Sequence, residues 1–81
     1  MSAAPEVIVY TTPLCAPCEA LKRILNTEGI PFEVRDLMAD EAAAELMARH
    51  GVRSAPALGI DGAIYSGEDL RPERLVELLD F

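Results

Sequence analysis

Two short strand-like runs separated by one amphipathic stretch constrain this chain more than any other feature. Val7-Ile8-Val9-Tyr10 is apolar and rich in β-branched residues, as a buried strand is. Phe32-Glu33-Val34-Arg35 alternates with period two, as a half-exposed strand does. Between them, Ala16 to Glu28 reads as a helix. Leu14, Cys18, Leu21 and Leu25, joined by Ile24, fall on one face, and Glu19, Lys22, Arg23 and Asn26 face water. Gly29 closes that helix and Pro31 prevents its continuation. Strands joined by a helical crossover run parallel, and the crossover is right-handed.

The remainder of the chain extends this unit. Asp40 caps a second helix, with Ala43, Leu46, Met47 and His50 on one side and Gly51 just past its end. Ala57 to Ile60 and Ala63 to Tyr65 flank Asp61-Gly62, a strong signal for a two-residue type I′ hairpin. A last helix starts near Pro72, with Leu70 placed to staple onto Leu75, and runs through Val76, Leu78 and Leu79. The order β-α-β-α-β-β-α predicts an α/β fold: a mixed four-stranded sheet with helices on both faces. Eighty-one residues allow one domain, spanning residues 1–81.

Charge narrows the partners. The net charge is −7 and no Lys/Arg cluster exists, which argues against nucleic acid and against anionic membranes. The longest apolar run, Val7 to Tyr10, is too short to cross a bilayer. Met1-Ser2-Ala3-Ala4-Pro5-Glu6 has no basic or apolar signal region, so a cytoplasmic location is expected. Two cysteines and one histidine cannot form a closed four-ligand zinc site within one chain, and no metal ligand is assigned.

Cys15-Ala16-Pro17-Cys18 is the one constellation with chemistry in it. It follows one expected strand and opens one expected helix. A helix start offers free N–H groups and the positive end of the macrodipole, and both stabilise a thiolate, the reactive form of cysteine. A thiol of pKa ~8.5 is only about 3% ionised at pH 7. Lowering it to ~6.5 takes ~2.7 kcal/mol, of which a helix dipole supplies up to ~2 kcal/mol and N–H···S bonds the rest. Lys22, four residues after Cys18, adds a little electrostatic support or simply pairs with Glu19. Cys15, before the first turn, is the expected exposed nucleophile. Cys18, on the apolar face, is the expected resolving thiol. Pro17 fits an early helical position and stiffens the loop. Three plainer readings remain open: a static disulfide, half of a metal or iron–sulfur site shared by two chains, or two core cysteines.

Val9-Tyr10-Thr11-Thr12-Pro13-Leu14-Cys15-Ala16-Pro17-Cys18, then Arg53-Ser54-Ala55-Pro56, Ile60-Asp61-Gly62 and Ser66-Gly67-Glu68-Asp69-Leu70 together resemble the glutaredoxin branch of the thioredoxin-fold proteins. The resemblance runs from Glu6 to Leu79 and implies a thioredoxin fold and thiol–disulfide oxidoreductase activity. It implies that Cys15 is the nucleophile and Cys18 the resolving cysteine. It implies that Pro56 is a cis-proline facing them, and that Ala55 offers its backbone to a disulfide substrate lying as an added strand. Gly67 stands in the family's paired-glycine turn, Glu68 and Asp69 stand near the glutathione γ-glutamyl positions, and Arg53 precedes the cis-proline. Thr12 stands where many glutaredoxins carry a lysine, and Ala-Pro replaces Pro-Tyr between the cysteines.

Ser66-Gly67 followed by Arg71-Pro72-Glu73-Arg74 also resembles the redoxins that supply ribonucleotide reductase and draw on thioredoxin reductase. The implied partners are disulfide-containing proteins, with glutathione or thioredoxin reductase as electron donor. No bound cofactor is expected, glutathione being a co-substrate at most, and the chain is expected to act as a monomer. Glutathione-assisted cluster carriage by a dimer and a non-catalytic binding module are the alternatives. On their residues alone, Glu68 and Asp69 read as favouring the start of the last helix, His50 as a residue suited to a helix end, and Tyr10 and Tyr65 as sheet packing.

Overall fold

The computed structural model describes residues 5–81. Residues 1–4, most of the segment read for a targeting signal, lie outside the described residues. In chain order the elements are β1 (Val7–Thr11), α1 (Ala16–Thr27), β2 (Glu33–Asp36), α2 (Glu41–Arg49), β3 (Ala57–Ile60), β4 (Ala63–Ser66), a single 3-10 turn (Gly67–Leu70) and α3 (Pro72–Leu79). The strands form one sheet in the order β2-β1-β3-β4. β1 runs parallel to β2, with Val9 opposite Val34. It runs antiparallel to β3, with Val9 opposite Leu58. β3 and β4 form the hairpin, with Ile60 opposite Ala63. Asp61 and Gly62 have φ of +48° and +91°, the two positive values a type I′ turn demands.

The period-two alternation of β1 divides the core. Val7 and Val9 point to one face and meet Leu21 and Leu25 of α1, Leu58 of β3 and Leu75 of α3. Tyr10 points to the other, where Ala43 and Met47 of α2 cover it beside Ala57. Leu25, Leu58 and Leu75 are fully buried. Each such side chain contributes about 1.5–3 kcal/mol relative to exposure. Leu70 packs against the same cluster as Leu75, and Pro72 opens α3, as the expected staple requires.

Both crossover helices stop by the same device. The N–H of Ile30 donates to the Leu25 carbonyl at 2.9 Å across Gly29, and the N–H of Val52 donates to the Met47 carbonyl at 2.9 Å across Gly51. Gly29 and Gly51 have φ of +70° and +71°, which glycine adopts without a Cβ penalty.

Three expectations differ from the structure, and one local feature was not anticipated. Leu14 does not join the apolar face of α1; it lies in the turn before the helix, with φ +56°, and is fully exposed. The helix starts only after Cys15, so helical periodicity cannot be carried back to residue 14. His50 is the exposed C-cap of α2 rather than part of its inner face. β2 is a sheet edge shifted by one residue, so Phe32 reaches the core from the loop while Val34 remains exposed. The turn after β4 closes as 3-10 helix before α3, a local tightening that hydrophobic periodicity does not register.

Candidate active site

The site is built where β1 hands over to α1. Cys15 is extended, with φ −110° and ψ 102°, and serves as the N-cap of the helix. Its carbonyl accepts the first helical hydrogen bond, from the N–H of Glu19 at 3.2 Å. Its sulfur takes the place of the usual capping oxygen: the backbone N–H of Cys18 donates to Cys15 Sγ at 3.1 Å. Pro17 occupies the first turn, where a missing N–H loses nothing. The two cysteines are joined as a disulfide, with Cα atoms 5.2 Å apart. Cys15 is half-buried, whereas Cys18, in the first turn of α1, is completely buried.

Two grooves meet at the loop before β3, one reaching Pro17 between the two cysteines and the other reaching Thr12 just before them. One, of ≈ 350 Å³, runs from Pro17 and Ile24 of α1, past Ala55 and Pro56, to Gly67 and Leu70. The other, of ≈ 410 Å³, lies between Thr12, Arg53 and Ala55 on one side and Met47 and Ala48 of α2 on the other. Ser54 and Ala55 line both, so the loop before β3 forms the ridge between them. The Ala55–Pro56 peptide bond is cis. The tertiary structure therefore gathers Pro17, Ala55, Pro56 and Gly67 around one groove and Thr12 and Arg53 around the other.

Five of the residues singled out from sequence line neither groove: the two cysteines, Lys22, Glu68 and Asp69. Lys22 pairs with Glu19 at 2.6 Å and faces a separate depression with Arg23 and Asn26. Glu68 pairs with Arg71 at 2.8 Å, and Asp69 faces Arg74 at 3.6 Å. The sequence reading missed Ser54, Leu70, Arg71 and Pro72 as groove walls. Leu70 carried only a local signal, that of a staple for α3. Its second role depends on α1 and the loop before β3 arriving opposite it. Among the described residues, no three His, Cys, Asp or Glu side chains form a group able to hold a metal ion. No helix among them is long and apolar enough to cross a membrane.

The glutaredoxin family model matches residues 7–64. The chain is 32% identical over 69 residues to the N-acetyl-S-hydroxy-L-cysteine reductase of Bacillus subtilis (strain 168), covering 83% of this chain and 74% of that protein. Among solved structures it is similar to the thioredoxin-like protein BC3987, with a TM-score of 0.79, 33% identity, and coverage of 91% of this chain and 100% of that one. It is equally close in fold to the glutaredoxin-like NrdH-redoxin of Escherichia coli, with a TM-score of 0.79, 29% identity, and coverage of 90% and 93%. These likenesses identify the four-stranded mixed sheet and its three α-helices as a thioredoxin fold.

Proposed function

The chain belongs to the glutaredoxin family, and from that premise we propose that it reduces protein disulfides by dithiol exchange through Cys15 and Cys18. One observation carries the reading. The less buried sulfur caps a helix and accepts a backbone N–H, while its partner three residues on is fully buried. In the reduced chain, that donor and the helix N-terminus stabilise negative charge on Cys15 Sγ. The Cys15 thiolate attacks one sulfur of a substrate disulfide, forming a mixed disulfide and expelling the other sulfur as thiolate. Cys18 gives up its proton and attacks Cys15 Sγ, releasing the second substrate thiolate. Two electrons have passed to the substrate, and the Cys15–Cys18 disulfide is the product. No bound cofactor enters. The chain acts as a monomer in the cytoplasm, where a reductant reopens the pair. The expected potential lies between roughly −270 and −200 mV, the span of thioredoxin and glutaredoxins.

Thioredoxin reductase is the proposed electron donor, with glutathione the alternative. Thr12 supplies no cation beside the cysteines, and Glu68 and Asp69 already face Arg71 and Arg74. The similar NrdH-redoxin is described as having a thioredoxin-like activity profile. The test follows reduction of the oxidised protein by thioredoxin reductase with NADPH, and separately by glutathione with glutathione reductase. Faster reduction by thioredoxin reductase is expected; faster reduction by glutathione would reassign the donor.

Similarity to the N-acetyl-S-hydroxy-L-cysteine reductase favours a second reading, reduction of a small sulfenic acid by the same pair. Cys15 would attack the sulfenyl sulfur and displace hydroxide, which leaves as water once protonated, and Cys18 would then release the thiol. Turnover of an S-hydroxycysteine derivative faster than of a peptide disulfide would favour it.

A further inference from the structure

Leu14 combines two features that folding disfavours. It is the most exposed large apolar side chain among the described residues, at 105% of its reference area. Its backbone lies at φ +56°, in the left-handed region that a bulky side chain seldom enters. Glycine or asparagine at this position would remove both liabilities, so neither packing nor turn geometry accounts for leucine. Residues held in such conformations concentrate at active sites, where surrounding structure over-determines them. Leu14 immediately precedes Cys15. Consecutive Cα atoms are about 3.8 Å apart, so a chain bringing a disulfide to Cys15 Sγ passes close to residue 14. Cys18 is fully buried and Cys15 only half-buried, so a substrate reaches Cys15 from solvent, to which Leu14 is also exposed.

We propose that Leu14 is a specificity-determining contact that selects peptide and protein disulfides flanked by apolar side chains. The proposal rests on the oxidoreductase reading above and adds the substrate feature that the site selects. Covering the Leu14 side chain removes apolar surface from water only when the substrate brings apolar surface of its own.

The test uses two synthetic peptides with one intramolecular disulfide each, flanked by Leu and Val in one and by Ser in the other. Wild type, Leu14→Asn and Leu14→Met are compared. Asparagine tolerates positive φ, so the melting temperature of Leu14→Asn is expected not to fall. Wild type is expected to prefer the apolar-flanked peptide. In Leu14→Asn the ratio of kcat/KM between the two peptides should drop by about tenfold, mainly through KM, and Leu14→Met should restore it. An unchanged ratio in Leu14→Asn, or an equal fall on both peptides, overturns the inference. Wild type reducing both peptides equally overturns it while leaving the oxidoreductase reading intact. Wild type reducing neither overturns both.

Discussion

The backbone N–H of Cys18 donates to Cys15 Sγ at 3.1 Å, so the residue disulfide-bonded to Cys15 also holds its sulfur through the main chain. The donor is a main-chain group and survives substitution of either side chain. The two cysteine variants should therefore fail differently. Cys15→Ser is expected to abolish reduction of insulin disulfides. Cys18→Ser should still attack substrate and accumulate a mixed disulfide, visible by mass spectrometry. Full activity in Cys15→Ser would reassign the nucleophile.

Gly59 sits opposite Ile8 in the middle of the sheet, where a Cβ would stand 3.2 Å from Cε2 of Tyr10. The Tyr10 ring is buried and has little freedom to withdraw. Gly59→Ala should destabilise the fold by about 1–3 kcal/mol, the usual effect of overpacking a filled core. A lowered urea midpoint with an unchanged slope is the expected result. No change would mean that the ring moves aside freely.

Burial pushes the Tyr10 phenol above its ordinary range, with Arg35 opposing and Glu33 and Glu6 reinforcing the shift. The folded chain thus holds this proton more tightly than the unfolded chain. The corresponding stability is fully present below the unfolded value of ~10 and is lost as pH rises through the higher folded one. Above ~10, wild type should lose stability faster than Tyr10→Phe, as read from melting temperatures across an alkaline series. Parallel curves would show that Tyr10 does not titrate differently on folding.

Asp40 Oδ1 accepts the N–H of Ala43 at 3.0 Å and caps α2, whose Ala43 and Met47 cover the second core face. Asp40→Ala should cost about 1 kcal/mol, and Asp40→Asn should retain most of the cap. Chemical denaturation of the two variants distinguishes them. Equal losses would point to the charge rather than the hydrogen bond.

What was legible in the sequence is what neighbouring residues decide among themselves. The Asp40 cap, the Gly29 and Gly51 stops, the Asp61-Gly62 turn and the placement of Cys15 at a helix start depend on contacts a few residues long. Backbone sterics and one or two hydrogen bonds suffice for each. The pattern of β1 likewise announced two buried faces, because alternate side chains must point to opposite sides of a strand.

Other features required distant segments to meet. Nothing local orders the strands β2-β1-β3-β4 or makes β2 the edge that leaves Val34 exposed. The groove joining Pro17 to Pro56 and Leu70 exists only because β3 pairs beside β1 and carries its preceding loop to the start of α1. Leu14 continued an apolar periodicity on paper, yet the chain turns before the helix begins and leaves it in solvent. Short-range sterics choose conformations residue by residue, whereas strand order and groove walls follow from which apolar surfaces the whole chain can bury together.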